Sequence, residues 1–344
     1  MKNIKSYYTY IFISTLTRNI VDVYSVVYLY KSGFSIKDII LTYIIVYFLG
    51  IYLSELSIIL GNKIGYKYIL ISSSIITSLT FYVITYSHNL YLIAIFLSLS
   101  IFTYHPIKHY YGMLFLKHKK AIGNTLILIY LATLLSSFIA IKNFKIIYLV
   151  VISVIGIIPA LFVKKESQQK VDYHKKISKN KINYFIFDQF KIIFILLEPL
   201  YLYLISNNLS YVGYFNIILT ISSIICIHLL VTKINIEKNY KYLNIIFTII
   251  LFLKINILNK NLLLIIAVLE GIGIKTNELV SNINLYNNLN KNTGYIIIIE
   301  KIFCLVRTII LCFIYFLQVD IKIILYILIM GIFILSFQYK KDTT

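Results

Sequence analysis

Twelve apolar stretches run along this chain, each close to the length that crosses a bilayer: 8–30, 38–60, 67–86, 91–115, 121–141, 146–163, 187–206, 211–232, 242–258, 261–284, 294–317 and 321–338. A helix needs about 20 mostly apolar residues to cross the hydrocarbon core, because each residue advances it by only about 1.5 Å. Backbone polar groups find no water there, so the span must satisfy them internally, as a helix does. The pattern predicts an all-α polytopic membrane protein. Composition agrees: 60% of the 344 residues are hydrophobic, 13% are charged and the mean hydropathy is +0.85, whereas about a quarter of a soluble domain is charged. Ile, Lys, Asn, Tyr and Phe share AT-rich codons, so the abundance of Tyr carries little functional weight.

The formal net charge of +20 would suggest nucleic acid in a soluble protein. Here the lysines gather in the short connections, and an orientation signal facing an anionic leaflet explains them without any nucleic acid partner. With the N-terminus inside, the inner connections hold twenty lysines and the outer ones seven, namely Lys31, Lys37, Lys142, Lys145, Lys254, Lys260 and Lys322. That bias places both termini in the cytoplasm and the chain in the plasma (inner) membrane. Cys226, Cys304 and Cys312 fall in apolar spans without metal spacing, so neither a disulfide framework nor a metal site is expected. The first apolar stretch runs past Arg18 and Asp22 to Tyr30 without a small-residue cleavage site and reads as a span rather than a signal peptide.

Only one connection is long. Residues 164–186 are basic and polar, as a solvated linker is, and divide an N-terminal bundle of six spans (1–163) from a C-terminal bundle of six (187–344). The halves echo each other: Ser35 and Ser210 open spans 2 and 8, while Lys120-Ala-Ile-Gly123 and Lys291-Asn-Thr-Gly294 open spans 5 and 11, at offsets of 175 and 171 residues. A duplicated six-span unit gives such offsets, and parallel repeats are one plan on which transporters are built.

After span 2 the chain reads Gly61-Asn62-Lys63-Ile64-Gly65-Tyr66-Lys67. This resembles the inner-loop signature of the major facilitator superfamily, with Asn62 in the usual aspartate position and Tyr66 in a usual basic one. The Lys-x-x-Gly starts of spans 5 and 11 are similar to that family's basic-x-x-Gly starts, and the resemblance extends over essentially the whole chain. It implies two bundles around a central cavity that opens alternately to each side, lined largely by spans 1, 4, 7 and 10. Span 5 lacks the Gly-Pro motif common among the family's drug/proton antiporters, which argues against simple multidrug efflux.

Ionised groups at membrane depth cost several kcal/mol unless they pair or line a wet cavity, so each is a candidate site. Arg18 and Asp22 in span 1 are i, i+4 and can pair. Span 4 carries His105, Lys108 and His109 around Pro106; span 7 carries Glu198 before Pro199, read as a lone mid-span acid. Span 10 carries Glu270, Lys275 and Glu278, with Gly271 and Gly273 allowing close helix approach, and span 11 carries Glu300, Lys301 and Arg307. Substrate binding or ion coupling is assigned to Arg18, Asp22, Lys108, Glu198, Glu270, Lys275 and Arg307. Gating or structural charge is assigned to Glu55, Gly61, Asn62, Lys63, Gly65, Glu278 and Glu300. Lys301 reads as a snorkelling lysine, and His228 as a packing residue.

These residues lead to the expectation of a monomeric secondary transporter, not an enzyme, that moves a small polar or charged solute by alternating access with protons as coupling ion. It needs no cofactor, and its other partners are membrane lipids. The mixed signs favour a zwitterionic or anionic solute. No nucleotide-binding signature such as G-x-x-x-x-G-K-[ST] occurs. The alternatives are a flippase for a lipid or lipid-linked saccharide, a polytopic membrane transferase using His105, His109 or His228, and a receptor that binds without transport.

Overall fold

The computed structural model describes residues 2–115, 119–141, 146–163, 179–233, 236–273 and 293–338. These form thirteen helices and, among the described residues, no strand: α1 (Lys2–Lys31), α2 (Ile36–Ile64), α3 (Tyr66–Tyr86), α4 (Leu90–Phe115), α5 (Lys119–Ile141), α6 (Ile146–Ile155), α7 (Ile157–Leu161), α8 (Lys179–Ser206), α9 (Leu209–Lys233), α10 (Ile236–Asn256), α11 (260–273), α12 (Thr293–Leu317) and α13 (Ile321–Gln338). Five are long and apolar enough to cross a membrane by length and composition: Ile36–Ile64, Tyr66–Tyr86, Leu90–Gly112, Asp188–Ser206 and Leu209–Ile227. Large apolar side chains such as Tyr52, Tyr82, Phe138, Ile225, Phe252 and Phe316 point outward along the helices, which suits hydrocarbon rather than water. The chain is an integral membrane protein.

The sixth apolar stretch is two helices rather than one. Pro159 has no N–H to return to the carbonyl of Ile155, so α6 ends there and α7 begins after Gly156. Pro106 frees a carbonyl in the same way inside α4, that of Phe102, and there the helix continues because Ser57 Oγ of α2 donates to it at 2.8 Å.

The Gly61–Lys67 segment makes a tight corner between α2 and α3. Gly65 has φ +107°, a conformation that a side chain disfavours, and its N–H caps α2 at the Gly61 carbonyl at 2.9 Å. Tyr66 then stacks on Tyr110 of α4 with 3.9 Å between ring centroids, and its hydroxyl meets Asn62 Oδ1 at 2.5 Å. A side chain at Gly61 would run into the Tyr66 ring. Asn62, in the place of the usual aspartate, thus serves the corner itself, while Lys67 Nζ donates to the Leu161 carbonyl at the end of α7 at 2.9 Å.

By packing, the chain divides into two compact units. Unit 1 comprises Met1–Lys117, Phe144–Lys175 and Tyr286–Gln318; unit 2 comprises His118–Asn143, Lys176–Leu285 and Val319–Thr344. Relative to the sequence halves, each unit takes in one helix from the other half. In unit 1, α12 lies along α2, with Lys301 Nζ 2.6 Å from Glu55 Oε2 and Lys37 over the Tyr315 ring at 4.9 Å. In unit 2, α5 lies along α9, where Gly213 has no side chain because Ile141 fills that space.

Candidate functional site: two buried charge clusters

Small polar residues prepare the interior of unit 1. Ser73, Ser74, Thr77, Ser78 and Thr80 on α3 are buried, and such residues let transmembrane helices approach and bond across their interface. Thr77 meets Ser100 of α4 at 3.1 Å and Ser78 meets Ser153 of α6 at 2.5 Å. Into this seam α1 inserts Arg18, which is 4% exposed. Its guanidinium donates to the Ser100 carbonyl at 2.5 Å, to Ser100 Oγ at 3.1 Å, to the Ser73 carbonyl at 3.4 Å and to Ser73 Oγ, and it lies 4.2 Å from the Tyr104 ring centroid. The planar fork of arginine suits two acceptors on each side. The expected partner Asp22 has its side chain outside the described residues.

Deeper along α4 and α12 stands a second group. His109 Nε2 is 3.3 Å from Glu300 Oε1, with the Glu300 side chain 6% exposed. Lys108 and Arg307 both act electrostatically on Glu300. Lys108 lies 5.9 Å from the Tyr104 ring, Arg307 lies 5.1 Å from that of Tyr47, and the His105 and His109 rings are 6.5 Å apart. Among the described residues, then, these two groups bring together the buried Arg18, the half-buried Lys108 and Arg307, the buried Glu300 carboxylate and two histidines. No group of three or more possible metal ligands occurs among the described residues.

Unit 2 holds a different constellation. Lys254 of α10 is wholly buried and reaches Glu198 of α8 and, at 2.8 Å, Glu270 Oε2 of α11. The Phe215 ring of α9 stands 4.4 Å from its ammonium. Helices come close here because Gly271 leaves room for Leu219 and Ser222 of α9, and Ser223 Oγ donates to the Gly271 carbonyl at 3.2 Å.

Two sequence readings change. Glu198 is not a lone acid, since Lys254 pairs with it; and Lys254, counted with the outer connections, is a fully buried member of the cluster. The misplacement follows from its position two residues before the end of α10, where a lysine normally snorkels to the surface. Lys301, read as snorkelling, is held by Glu55. Gly61, Asn62 and Gly65 build the α2–α3 corner, and Lys63 sits in the last turn of α2, where a cation complements the helix dipole. Lys275 and Glu278 lie outside the described residues, as does the side chain of His228.

No protein-family model matches the chain, and no curated protein matches its sequence. Solved structures do match in fold. A bacterial homologue of the iron transporter ferroportin, crystallised in an outward-facing state, superposes with TM-score 0.68 at 10% identity, covering 98% of each chain. A mutant of the nucleoside transporter NupG superposes with TM-score 0.67 at 11% identity, covering 99% of this chain and 100% of the other. The chain therefore shares its fold with these two solved transporters. At such low identity the likeness is one of fold.

Proposed function

We propose that this chain is a secondary transporter moving a small anionic or zwitterionic solute by alternating access, driven by a proton gradient. The observation that carries the reading is the gathering in unit 1 of Lys108 and Arg307, both half-buried, around the buried Glu300 carboxylate and His109. Guanidinium and ammonium groups donate charge-assisted hydrogen bonds to carboxylate and phosphate oxygens, so a cluster carrying Lys108 and Arg307 suits an anionic or zwitterionic solute. The transporter neighbours support the class. In this reading Lys108 and Arg307 contact the solute, Arg18 holds α1 against α3 and α4, and the unit 2 acids take part in coupling. Residues 1–163 and 187–344 are the duplicated six-span halves, 164–186 is their cytoplasmic linker, and the protein works as a monomer in the plasma (inner) membrane with both termini inside.

The test is reconstitution of the purified chain into vesicles carrying an entrapped pH-sensitive dye, challenged with a panel of carboxylates, phosphates, amino acids and nucleosides. The expected result is proton movement that depends on one anionic or zwitterionic class and falls at least tenfold in Arg307→Gln. Absence of both solute-dependent proton movement and solute exchange overturns the reading. Activity on a lipid-linked substrate, with no water-soluble ligand, would make the protein a flippase instead.

A further inference from the structure

The interior of unit 2 places one lysine between two carboxylates from two different helices. Lys254, Glu198 and Glu270 each sit within the protein, and Glu270 Oε1 has no hydrogen-bond partner among the described residues. Phe215 and Phe194 flank the ammonium at 4.4 and 5.7 Å, so the surroundings are rings rather than water. With all three groups ionised the triad carries one net negative charge. An uncompensated charge in such a place costs several kcal/mol, and no other cation is positioned to cancel it among the described residues. On α8, Asp188 and Lys191 pair with each other at 2.5 Å, about two turns or more before Glu198. The neighbouring titratable hydroxyls are committed to oxygen acceptors: Tyr201 of α8 donates to the Ile255 carbonyl at 2.8 Å, and Tyr326 of α13 to Asn256 Oδ1 at 2.6 Å. From α9 the triad meets the Phe215 ring, and Ser222 and Ser223 donate to the Leu219 carbonyl.

We propose that Glu198, Lys254 and Glu270 form a single-proton binding site, and that the proton decides which helix Lys254 ties to α10. One proton added to either carboxylate makes the triad neutral. With the proton on Glu198, the ammonium stays with Glu270 and links α10 to α11. With the proton on Glu270, it stays with Glu198 and links α10 to α8. The proton comes from water and returns to it, and Lys254 remains an ammonium throughout. As a coupling device this rests on the transporter reading; as a proton site it does not.

Infrared spectroscopy of the full chain in lipid nanodiscs reads the site directly, because a protonated carboxyl has a C=O band separate from that of a carboxylate. At neutral pH the wild type minus Glu270→Gln, and the wild type minus Glu198→Gln, are each expected to leave the band of one carboxylic acid. In either variant the remaining acid and Lys254 form a neutral pair that needs no proton. Lys254→Gln is expected to double the signal, since both acids then stay protonated. Unchanged band intensity in both glutamine variants overturns the proposal, as does a Lys254→Gln spectrum that gains nothing. Should Lys254→Gln fail to fold, the two near-isosteric glutamine variants decide alone. No solute is present in the measurement, so a chain that shows the band but moves no solute keeps the proton site and loses the transporter reading.

Discussion

His109 Nε2 stands 3.3 Å from Glu300 Oε1 and ties α4 to α12 inside unit 1. Glu300 also faces the fields of Lys108 and Arg307, so its carboxylate balances cations on two helices at once. Removing one partner from a buried charge group costs about 3–5 kcal/mol, because it leaves the others uncompensated. Glu300→Ala is therefore expected to lower the thermal midpoint of the purified protein substantially. Lys301→Ala breaks the Glu55 contact, but that lysine side chain is 37% exposed, and its loss is expected to cost about 1 kcal/mol or less. Parallel melts followed by helical circular dichroism check the pair; equal effects would mean that Glu300 balances nothing.

The lengths and polarity of the apolar stretches carry most of the helix pattern, since a bilayer span is a property of a local window. The resemblance of Gly61–Lys67 to an inner-loop signature also drew attention to the corner, where Gly65 has a positive φ. Pairings across the chain were not legible in the same way. Arg18 suggested a partner four residues on, Asp22, whose side chain lies outside the described residues, but nothing local announced that its guanidinium reaches Ser73 and Ser100, 55 and 82 residues away. Serines are common in membrane helices, and nothing local distinguishes two that will receive a guanidinium. Lys254 looked like a surface lysine because its partners Glu198 and Glu270 arrive on α8 and α11. The break between α6 and α7 could have been read from Pro159, but an apolar window averages over a proline.

The grip on Arg18 predicts that lysine cannot replace it. Lysine keeps the charge but offers a point-like ammonium in place of a planar fork with five donors. Acceptors on α3 and α4 would be left unpaired, at about 1–3 kcal/mol for each group stranded in the interior. Arg18→Lys is expected to be less stable than wild type by at least that amount, with Ser73→Ala/Ser100→Ala milder because the two carbonyls remain. Thermal melts of the three proteins in one detergent rank them; a stable Arg18→Lys protein would reduce the site to its charge.

At the α2–α3 corner, two alanine substitutions act by different routes. Gly65→Ala strains the backbone at φ +107°, and residues held in such regions cost about 1–3 kcal/mol. Gly61→Ala instead drives a methyl into the Tyr66 ring that stacks on Tyr110, where overpacking costs about 1–3 kcal/mol. Adding Tyr66→Ala to Gly61→Ala removes the collision and is expected to recover part of the lost stability, whereas adding it to Gly65→Ala recovers none. A double-mutant cycle on thermal midpoints separates the two.

Lys254 leads to a prediction about direction as well as size. Lys254→Met leaves two buried acids without a cation, and they must either take up protons or strand their charge. Lys254→Met/Glu198→Gln/Glu270→Gln leaves no charge at all, and replacing a whole buried ion group by neutral residues is often close to neutral in stability. The triple variant is therefore expected to melt above the single one despite carrying two further changes. In hydrogen exchange, Glu270→Gln should loosen α11 over residues 260–273, because Lys254 then pairs with Glu198 on α8, and Glu198→Gln should loosen the middle of α8 instead. A single variant more stable than the triple, or exchange that rises equally in both helices, would show that Lys254 does not choose between the two acids.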